Sequence, residues 1–388
     1  MATQQACIVR ARRLWMGPGR LLDNGAVAVR NGRVEAVGPF EALRRGHAWP
    51  VTDLGDATMC PGPINCHCHL ELSHLRGKVA GGQGFAAWVR EMLALPGEDS
   101  PDGTMEGAMR EAARGMAASG TAFVADVTGR RPGLSARALE AAGLGFWLCV
   151  EFIGHHLSGP PEDWPCDLDG APPNAVPMDR VAASGHALYS TSPGALTRAR
   201  QWSMSHGRPF SLHLAEHEDE EAVLCRGEGV FADMLSRRIL PHDWKPPGMR
   251  PVAYADALGL LGPGTLAVHG VRADPDEVRL IASRGVALCL CPRSNAYIGV
   301  GQAPWDDYRK AGVLLCVGTD SLASNHDLDL WNEARALLDA GAAPLDEILG
   351  WMTLGGARAL GTEKDHGTLE PGRIARYTVV PDDLADQL

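Results

Sequence analysis

The sequence predicts an α/β fold, a (β/α)8 (TIM) barrel with a small β-sandwich-like domain formed by both ends of the chain. Three observations lead to this prediction. After residue 60, eight short apolar segments alternate with segments of helical composition, which is typical of parallel strands joined by crossover helices. Before that point, and again near the C-terminus, the pattern is one of strands and turns. Several of the apolar segments end in histidine or an acidic residue, and barrels place their active sites at the carboxyl ends of the strands.

Residues 1–60 are predicted to form short strands of the small domain. The stretch "GAVAVRNGRVEAVG" contains two β-rich runs joined by Asn31 and Gly32, a dipeptide typical of two-residue hairpins. Residues 367–388 return to strand and turn character, and we expect them to complete this domain. The barrel is then predicted to span residues 61–366.

The eight predicted barrel strands are short and rich in apolar residues. In chain order they are "PINCH", "AFVADV", "GFWLCVEFI", "HALYST", "FSLHLA", "TLAVHG", "VALCLC" and "VLLCVGTD". Helical segments such as "GTMEGAMREAARGMAASG" and "DPDEVRLIASRG" separate most of them. A doubly wound sheet is the alternative, but no G-x-G-x-x-G motif follows the first strand. The proline-rich segment 158–177 is predicted to form a long loop over the barrel mouth.

Composition and charge restrict the class of protein. The net charge is -11, without long runs of one sign, which argues against nucleic-acid binding and favours a small-molecule ligand. The chain lacks an apolar run long enough for a membrane span, and the N-terminal stretch lacks the apolar core of a signal peptide. Most of the 10 cysteines lie in apolar runs and suit a reducing compartment. We therefore expect a cytoplasmic protein without membrane or nucleic-acid partners; a homodimer remains open.

Two histidines end the first predicted strand. His67 and His69 stand in "PGPINCHCHLE", and residues i and i+2 of a strand point to the same side. Two neutral imidazoles placed in this way form half of a metal site. Alone, an H-x-H pattern also arises by chance on surface strands.

Three other predicted strands end in the same manner. The chain has His213 with Glu216 three residues later, His269, and Asp320 at these positions. A single residue of this kind is usually structural, but four strand ends meeting the same condition predict one shared metal-centred site.

The residue types indicate the metal and its chemistry. Three histidines and a carboxylate suit Zn2+, or Fe2+ in the cell, and a bound water with a pKa of about 7 would be the nucleophile. Glu216 is the candidate proton carrier, whereas His269 either binds the metal or orients the water. The chain has no lysine between Lys78 and Lys245, which excludes a metal pair bridged by a modified lysine before the His213 strand and favours a single ion.

The motifs "HCHLELSHLRG", "HLAEHEDEE", "VHG", "CPRSN" and "GTDSLASN", in this order, resemble the amidohydrolase superfamily, specifically its single-metal deaminase and chlorohydrolase branch. The resemblance covers almost the whole chain. It implies four metal ligands, which are His67, His69, His213 and Asp320. It also implies three catalytic residues: Glu216 as the proton shuttle, His269 holding the water and polarising the substrate, and Asp320 helping to move the second proton.

The resemblance implies hydrolytic deamination of an aromatic ring. The stretch "HLELSHLRGKVAGGQGFAAWVREML" resembles aminodeoxyfutalosine deaminases of menaquinone biosynthesis, so 6-amino-6-deoxyfutalosine is the first candidate substrate. The alternatives are deamination of S-adenosylhomocysteine, methylthioadenosine, guanine or a pterin, or hydrolysis of a triazine as in chlorohydrolases. A catalytically inactive binding protein is a distant alternative, since every implied ligand and Glu216 are present.

Five further residues are candidate substrate contacts. Trp88 lies in the segment that covers the substrate in relatives, although it could equally be a packing residue. Glu151 near the end of the third strand could bind a ribose hydroxyl or a ring nitrogen, or form a buried ion pair. His186 belongs to the fourth predicted strand and is expected to contact substrate. Arg293 and Arg76 are alternative partners for a substrate carboxylate, or ordinary surface arginines.

Overall fold

The fold is described from a computed structural model, which covers residues 6–95, 104–157, 159–160 and 176–388. Most of the loop predicted at 158–177 lies outside these residues. The strands are β1 (Ala6–Arg10), β2 (Arg13–Trp15), β3 (Leu21–Asp23), β4 (Gly25–Arg30), β5 (Arg33–Pro39), β6 (Val51–Asp53), β7 (Thr58–Pro61), β8 (Ile64–Cys68), β9 (Phe123–Thr128), β10 (Gly145–Phe152), β11 (Val181–Gly185), β12 (Phe210–Leu214), β13 (Thr265–His269), β14 (Ala287–Leu290), β15 (Leu314–Val317) and β16 (Tyr377–Val379).

Helices occur mainly between the strands from β8 onward. They are α1 (Phe40–Gly46), α2 (Phe85–Ala94), α3 (Thr104–Ala118), α4 (Pro132–Ala141), α5 (Pro193–Ser205), α6 (Glu218–Arg226), α7 (Val230–Ser236), α8 (Pro251–Ala257), α9 (Pro275–Arg284), α10 (Pro292–Ile298), α11 (Trp305–Lys310), α12 (Leu330–Asp339), α13 (Leu345–Gly350), α14 (Gly356–Ala359) and α15 (Asp382–Ala385). Short 3-10 helices lie at Leu70–Leu75 and Met178–Arg180, and a π-helical turn lies at Trp351–Gly355.

Eight parallel strands form the barrel predicted from the sequence. Strands β8 to β11 pair in order, and strands β12 to β15 pair in order. Parallel bridges between Ala187 and His213 and between Cys68 and Asp320 join the two sets. The ring of strands is therefore closed, and both of its seams lie at residues of the candidate metal site.

The fourth barrel strand differs from the prediction. It is β11, with the sequence "VAASG", whereas the predicted segment "HALYST" begins at His186, directly after this strand. The small residues of β11 contribute little hydrophobicity although all five are buried. Sequence patterns therefore favoured the more apolar segment that follows, and that prediction is wrong.

The small domain contains two sheets, with strand orders β5-β4-β1-β6 and β16-β7-β2-β3. The hairpin between β4 and β5 turns at Asn31 and Gly32, whose φ angles of 51° and 75° suit a type I′ turn. Strand β16 pairs antiparallel with β7, so segments from both ends of the chain share one sheet, as predicted. The domain limits given above remain a prediction.

Local signals explain several helix boundaries. Helix α9 begins with a capping box in which Asp274 and Glu277 each bond the other's backbone N–H, and it ends at Gly285 with φ 67°. A capping box commonly begins a helix, and a glycine in the left-handed region commonly ends one. No helix in the described ranges combines the length and the apolar character that a membrane crossing requires.

Candidate metal centre

Four histidines and an aspartate meet at the carboxyl ends of the barrel strands. His67 lies within β8 and His69 directly after it. His213 lies in β12, His269 ends β13, and Asp320 follows β15. All five side chains are buried. The barrel thus brings together residues that are as much as 253 positions apart in the chain (67 to 320).

The spacing of three of these side chains fits a single metal ion. The Nε2 atoms of His67 and His69 are 3.2 Å apart, and each lies 3.6 Å from Oδ1 of Asp320. Two ligands bound to zinc at about 2.1 Å in a tetrahedral arrangement are about 3.4 Å apart. The donor set therefore has the dimensions of a zinc site.

His213 completes the donor set with its ring oriented by the backbone. Its Nδ1 is 2.9 Å from the carbonyl oxygen of His186, so Nδ1 carries the proton and Nε2 keeps its lone pair. One ring nitrogen of each of the residues His67, His213 and His269 lies within 4.8 Å of the other two. His213 can therefore bind the same ion as His67.

Asp320 is held in a geometry that points one oxygen toward the histidines. Its Oδ2 accepts hydrogen bonds from the hydroxyls of Ser294 at 2.5 Å and Ser324 at 3.0 Å, which leaves Oδ1 facing His67 and His69. Burial alone would raise the pKa of Asp320, but its contacts with the two imidazoles hold the pKa well below its usual range. The carboxylate is therefore ionised and able to bind a cation.

Burial keeps the clustered imidazoles neutral. It lowers the pKa of His67 to about 4 and that of His213 well below its usual value, and it also lowers the pKa of His269. Neutral imidazole is the form that binds divalent metal ions.

Glu216 lies next to this cluster. Its Oε1 is 3.7 Å from Nε2 of His269, whose Nδ1 is 2.9 Å from Oδ1 of Asn295. Burial raises the pKa of Glu216 well above its ordinary value, and the charges of Asp320 and Glu220 raise it further. A carboxyl group in this environment can carry a proton at neutral pH and give it up when a positive charge arrives.

Three residues at the strand ends adopt the left-handed backbone region. They are Ala215, His269 and Asp320, with φ angles of 52°, 76° and 57°. Such conformations cost about 1–3 kcal/mol each and concentrate at active sites. Glu220 supports the first of these turns, because its carboxyl group accepts hydrogen bonds from the backbone N–H groups of Glu216, at 2.9 Å, and of Ala215.

Three of the five predicted substrate contacts lie at or beside this centre. Oε1 of Glu151 is 3.8 Å from Nδ1 of His213 and is buried without a hydrogen-bond partner among the described residues. His186 belongs to the same group of potential ligands, with Nδ1 2.5 Å from the hydroxyl of Ser190. Trp88 is buried and donates its Nε1–H to the carbonyl oxygen of Ala323 at 2.9 Å, which joins α2 to the loop after Asp320. Their roles toward substrate remain predictions.

The two predicted arginines are not part of this cluster. Arg293 forms a two-pronged pair with Asp327, at 2.7 and 3.0 Å, and lies 3.6 Å from Glu333. Arg76 is exposed, and its side chain makes no ion pair within the described part of the chain. The structure places neither guanidinium group among the metal-binding residues. The role of Arg293 and Arg76 as carboxylate partners remains a prediction.

The structure also identifies supporting residues that the sequence analysis left unassigned. Ser294 and Asn295 lie in the "CPRSN" motif and bond Asp320 and His269. Glu71 in "HLELS" accepts hydrogen bonds from the hydroxyl of Thr128 and from the backbone N–H of Gly129, which joins the segment after His69 to the end of β9. The motifs marked these positions, but only the fold shows what they bond.

Comparison with known proteins identifies the family. Residues 58–387 match the model of the amidohydrolase family. The chain belongs to the amidohydrolase family. A second match, to an imidazolonepropionase-like composite domain of bacteria, covers residues 25–48 of the small domain.

Similar proteins are mostly deaminases. This amidohydrolase is 33% identical to a 5-methylthioadenosine/S-adenosylhomocysteine deaminase of Syntrophobacter fumaroxidans over 93% of this chain and 81% of that protein. An adenosine deaminase from Xanthomonas campestris with bound zinc has a TM-score of 0.76 at 25% identity, with 96% of this chain and 84% of that one covered. The Helicobacter pylori aminofutalosine deaminase shares the fold, with a TM-score of 0.79 at 21% identity over 96% and 91% of the two chains.

These comparisons confirm the predicted superfamily, the barrel fold and the class of enzyme. The amidohydrolase is a hydrolase that acts on C–N bonds, as its family and deaminase relatives indicate. Its family is metal-dependent, in agreement with the donor set at the strand ends.

Proposed function

We propose that this amidohydrolase deaminates an adenosine modified at its 5′ position, of the methylthioadenosine or S-adenosylhomocysteine type, and releases ammonia. The observation that carries the proposal is the convergence of His67, His69, His213, Asp320 and Glu216 in a chain that is 33% identical, over 93% of its length, to a deaminase of those two nucleosides. The sequence motifs alone put 6-amino-6-deoxyfutalosine first; the sequence relatives favour its alternative. A role in menaquinone biosynthesis would follow only from the first substrate.

We propose Zn2+ as the single resident ion, since nitrogen-rich donor sets favour borderline metals, with Fe2+ as the alternative. Bound by His67, His69, His213 and Asp320, the ion would lower the pKa of a water to about 7. Glu216 would take a proton from the attacking water and deliver it to the ring nitrogen next to the carbon under attack. His269 holds its Nε2 toward the same point, with its ring fixed by Asn295.

The second half of the reaction needs another proton transfer. Asp320 is ionised and lies beside the histidines, so it can accept the proton of the hydroxyl group added to the ring carbon and pass it to the departing amine. Water is consumed, the C–N bond breaks, ammonia leaves and the ring becomes a lactam. No redox partner is required.

The substrate assignment is tested by measuring ammonia release from a panel of nucleosides. The panel contains methylthioadenosine, S-adenosylhomocysteine, adenosine, 6-amino-6-deoxyfutalosine and guanine. We expect the highest kcat/KM for a 5′-modified adenosine. Exclusive turnover of guanine, a pterin or a triazine would contradict the proposal.

Glu216→Gln tests the proton carrier. The amide has nearly the same shape but cannot exchange the proton, so we expect kcat to fall at least about a hundredfold with metal content unchanged. Glu228→Gln is the matched control, because Glu228 is exposed and pairs only with Arg226 in the described chain; its activity should equal that of the native protein. Near-native turnover by Glu216→Gln would remove Glu216 from the mechanism.

Metal analysis tests the number of ions. We expect about one divalent ion per chain after removal of loosely bound metal, loss of ammonia release with a chelator, and recovery with Zn2+. A stoichiometry near two would contradict a single-metal centre.

The nine described cysteines are free, which supports our inference of a cytoplasmic location.

A further inference from the structure

A cavity of about 820 Å³ has none of the metal-binding residues in its lining. Its walls come from α2, from the start of α6, from α7 and from the segments around Arg272 and Val300. His217, the residue after Glu216, forms part of the wall. One residue of the cavity wall is therefore the direct chain neighbour of the proposed proton carrier.

His217, which forms part of this wall, contains a buried hydrogen-bond donor. Its ring is 2% exposed and stacks on Phe85 with centroids 3.6 Å apart. Its Nδ1 accepts a hydrogen bond from the backbone N–H of Glu220, so the neutral ring carries its proton on Nε2. Among the described residues, Nε2 has no hydrogen-bond partner. An unpaired buried donor costs free energy, so a ligand whose acceptor reaches Nε2 would be favoured.

The cavity also collects positive charge in an acidic protein. Four arginines line it: Arg90, Arg237, Arg238 and Arg272. All four are exposed, and within the described ranges their guanidinium groups form no ion pair or hydrogen bond. The acidic residues of the lining are Glu218, Asp219 and Asp233, so four positive and three negative side chains leave an excess of one positive charge. That excess suits a singly charged anion such as a carboxylate.

The remaining lining is apolar. Val230 is 72% exposed and Leu93 41% exposed, and both contribute to the cavity together with Phe85 and Met234. Large apolar side chains this exposed often mark binding surfaces. The complementary ligand has an apolar stem and a charged end.

We propose that this cavity is a subsite for a carboxylate-bearing substituent of the substrate. The aminopurine occupies the metal centre, the substituent passes His217 and packs on Phe85 and Val230, and its carboxylate is bound by the arginines. The inference rests on the proposed function and makes it more specific: the 5′ substituent ends in a carboxylate. It assigns this role to a cavity that contains neither Arg293 nor Arg76.

The test compares two adenosines that differ in this group. S-adenosylhomocysteine carries a carboxylate at the end of its 5′ substituent, and methylthioadenosine does not. Charge-assisted hydrogen bonds to a carboxylate are stronger than neutral ones. In the double variant Arg237→Gln/Arg238→Gln we expect kcat/KM for S-adenosylhomocysteine to fall about tenfold or more, while that for methylthioadenosine changes less than about twofold.

Arg279→Gln is the matched control. Arg279 is an exposed arginine on α9, outside the cavity, that pairs with Asp276, and its replacement removes one positive charge where the double variant removes two. It should leave the ratio of the two kcat/KM values unchanged. Equal effects of the double variant on both nucleosides, or no effect on either, would overturn the proposal.

Two further outcomes separate the subsite from the reaction. If no adenosine of the panel releases ammonia, the proposed function fails, and calorimetric titration then tests the subsite alone. The subsite proposal requires that S-adenosylhomocysteine bind more tightly than methylthioadenosine. It also requires that the double variant lose this preference. If the double variant alters only the oligomeric mass, the cavity is an interface between copies of the chain and the subsite proposal is wrong.

Discussion

At the scale of single residues, several of the proposed ligand side chains are oriented by hydrogen bonds to their second nitrogen or oxygen atom, the one that faces away from the ion site. His213 is fixed through Nδ1 by a backbone carbonyl, and His269 by Asn295. Asp320 is fixed through Oδ2 by two hydroxyls. Such outer contacts commonly change metal affinity or activity by about 10- to 100-fold. His67 differs, because its Nδ1 is buried without a partner in the described chain.

Ser294→Ala tests this support for Asp320. Loss of the shorter of the two hydroxyl contacts frees the carboxylate to rotate, so we expect Zn2+ affinity to fall about tenfold. Competition with a chromogenic chelator measures the change. Ser283→Ala is the control, since that exposed hydroxyl bonds only a carbonyl of its own helix. Equal affinities for both variants would show that Ser294 does not support the ligand.

The sequence was informative about residues with one dominant chemical role and less so about residues with several. Histidines at strand ends could be predicted, because strand direction places them at the barrel mouth whatever their neighbours. The partner of Arg293 could not, because a guanidinium binds any nearby carboxylate, and Asp327 lies 34 positions away in the chain. The arginines that line the cavity carry no motif at all.

At the scale of elements, α6 and the residues before it form one unit that positions Glu216. His217 caps the helix through Nδ1, and Glu220 in its first turn bonds back to the backbone of Glu216. The carboxyl group proposed as the proton carrier is thus held between the end of β12 and the start of α6.

Glu220 gives this unit a dependence on pH. Burial raises the pKa of Glu220 from 4.5 to about 8, so the folded protein keeps a proton that the unfolded chain loses near pH 4.5. Its contribution to stability is therefore complete below pH 4.5 and is lost as pH rises to about 8. We expect the free energy of unfolding to fall between pH 5 and 8 more steeply in the native protein than in Glu220→Gln.

Urea unfolding at pH 5 and at pH 8 measures this difference in the free energy of unfolding. Metal is kept equal in all samples, so that protonation of the ligand histidines contributes equally. Glu111→Gln, a substitution on the exposed face of α3, should follow the native curve. Parallel pH dependence in the native protein and Glu220→Gln would exclude a proton on Glu220.

The elements were predicted where hydrophobicity and strand length agree. Seven of the eight predicted barrel strands overlap β8 to β10 and β12 to β15. The exception, β11, is made of small residues that a close-packed barrel tolerates but that a hydrophobic pattern does not mark. Packing density, which the sequence alone does not display, decides such cases.

At the scale of the whole molecule, closure of the barrel is what assembles the centre. Asn65 joins the first and last barrel strands, because its amide donates to the hydroxyl of Thr319 at 2.7 Å and accepts from the backbone N–H of the same residue at 3.2 Å. The backbone carbonyl of His67 also accepts from Asp320 N–H at 2.9 Å. The two segments that carry the proposed ligands His67 and Asp320 are therefore joined at the seam itself.

Asn65→Ala is expected to lower the free energy of unfolding by about 2–4 kcal/mol, since it removes both buried hydrogen bonds to Thr319 and leaves their partners unpaired. Chemical denaturation of the metal-free protein measures the effect without a contribution from the ion. Asn332→Ala, at a half-buried position on α12, should cost less. Equal losses would show that Asn65 has no special part in closure.

The left-handed torsions at Ala215, His269 and Asp320 place catalysis and heat resistance in opposition. Each torsion is unfavourable in isolation, and the surrounding strands compensate for it. Selection for thermal stability alone would favour relaxed backbone torsions at these three residues. The free energy of unfolding would then rise while activity fell.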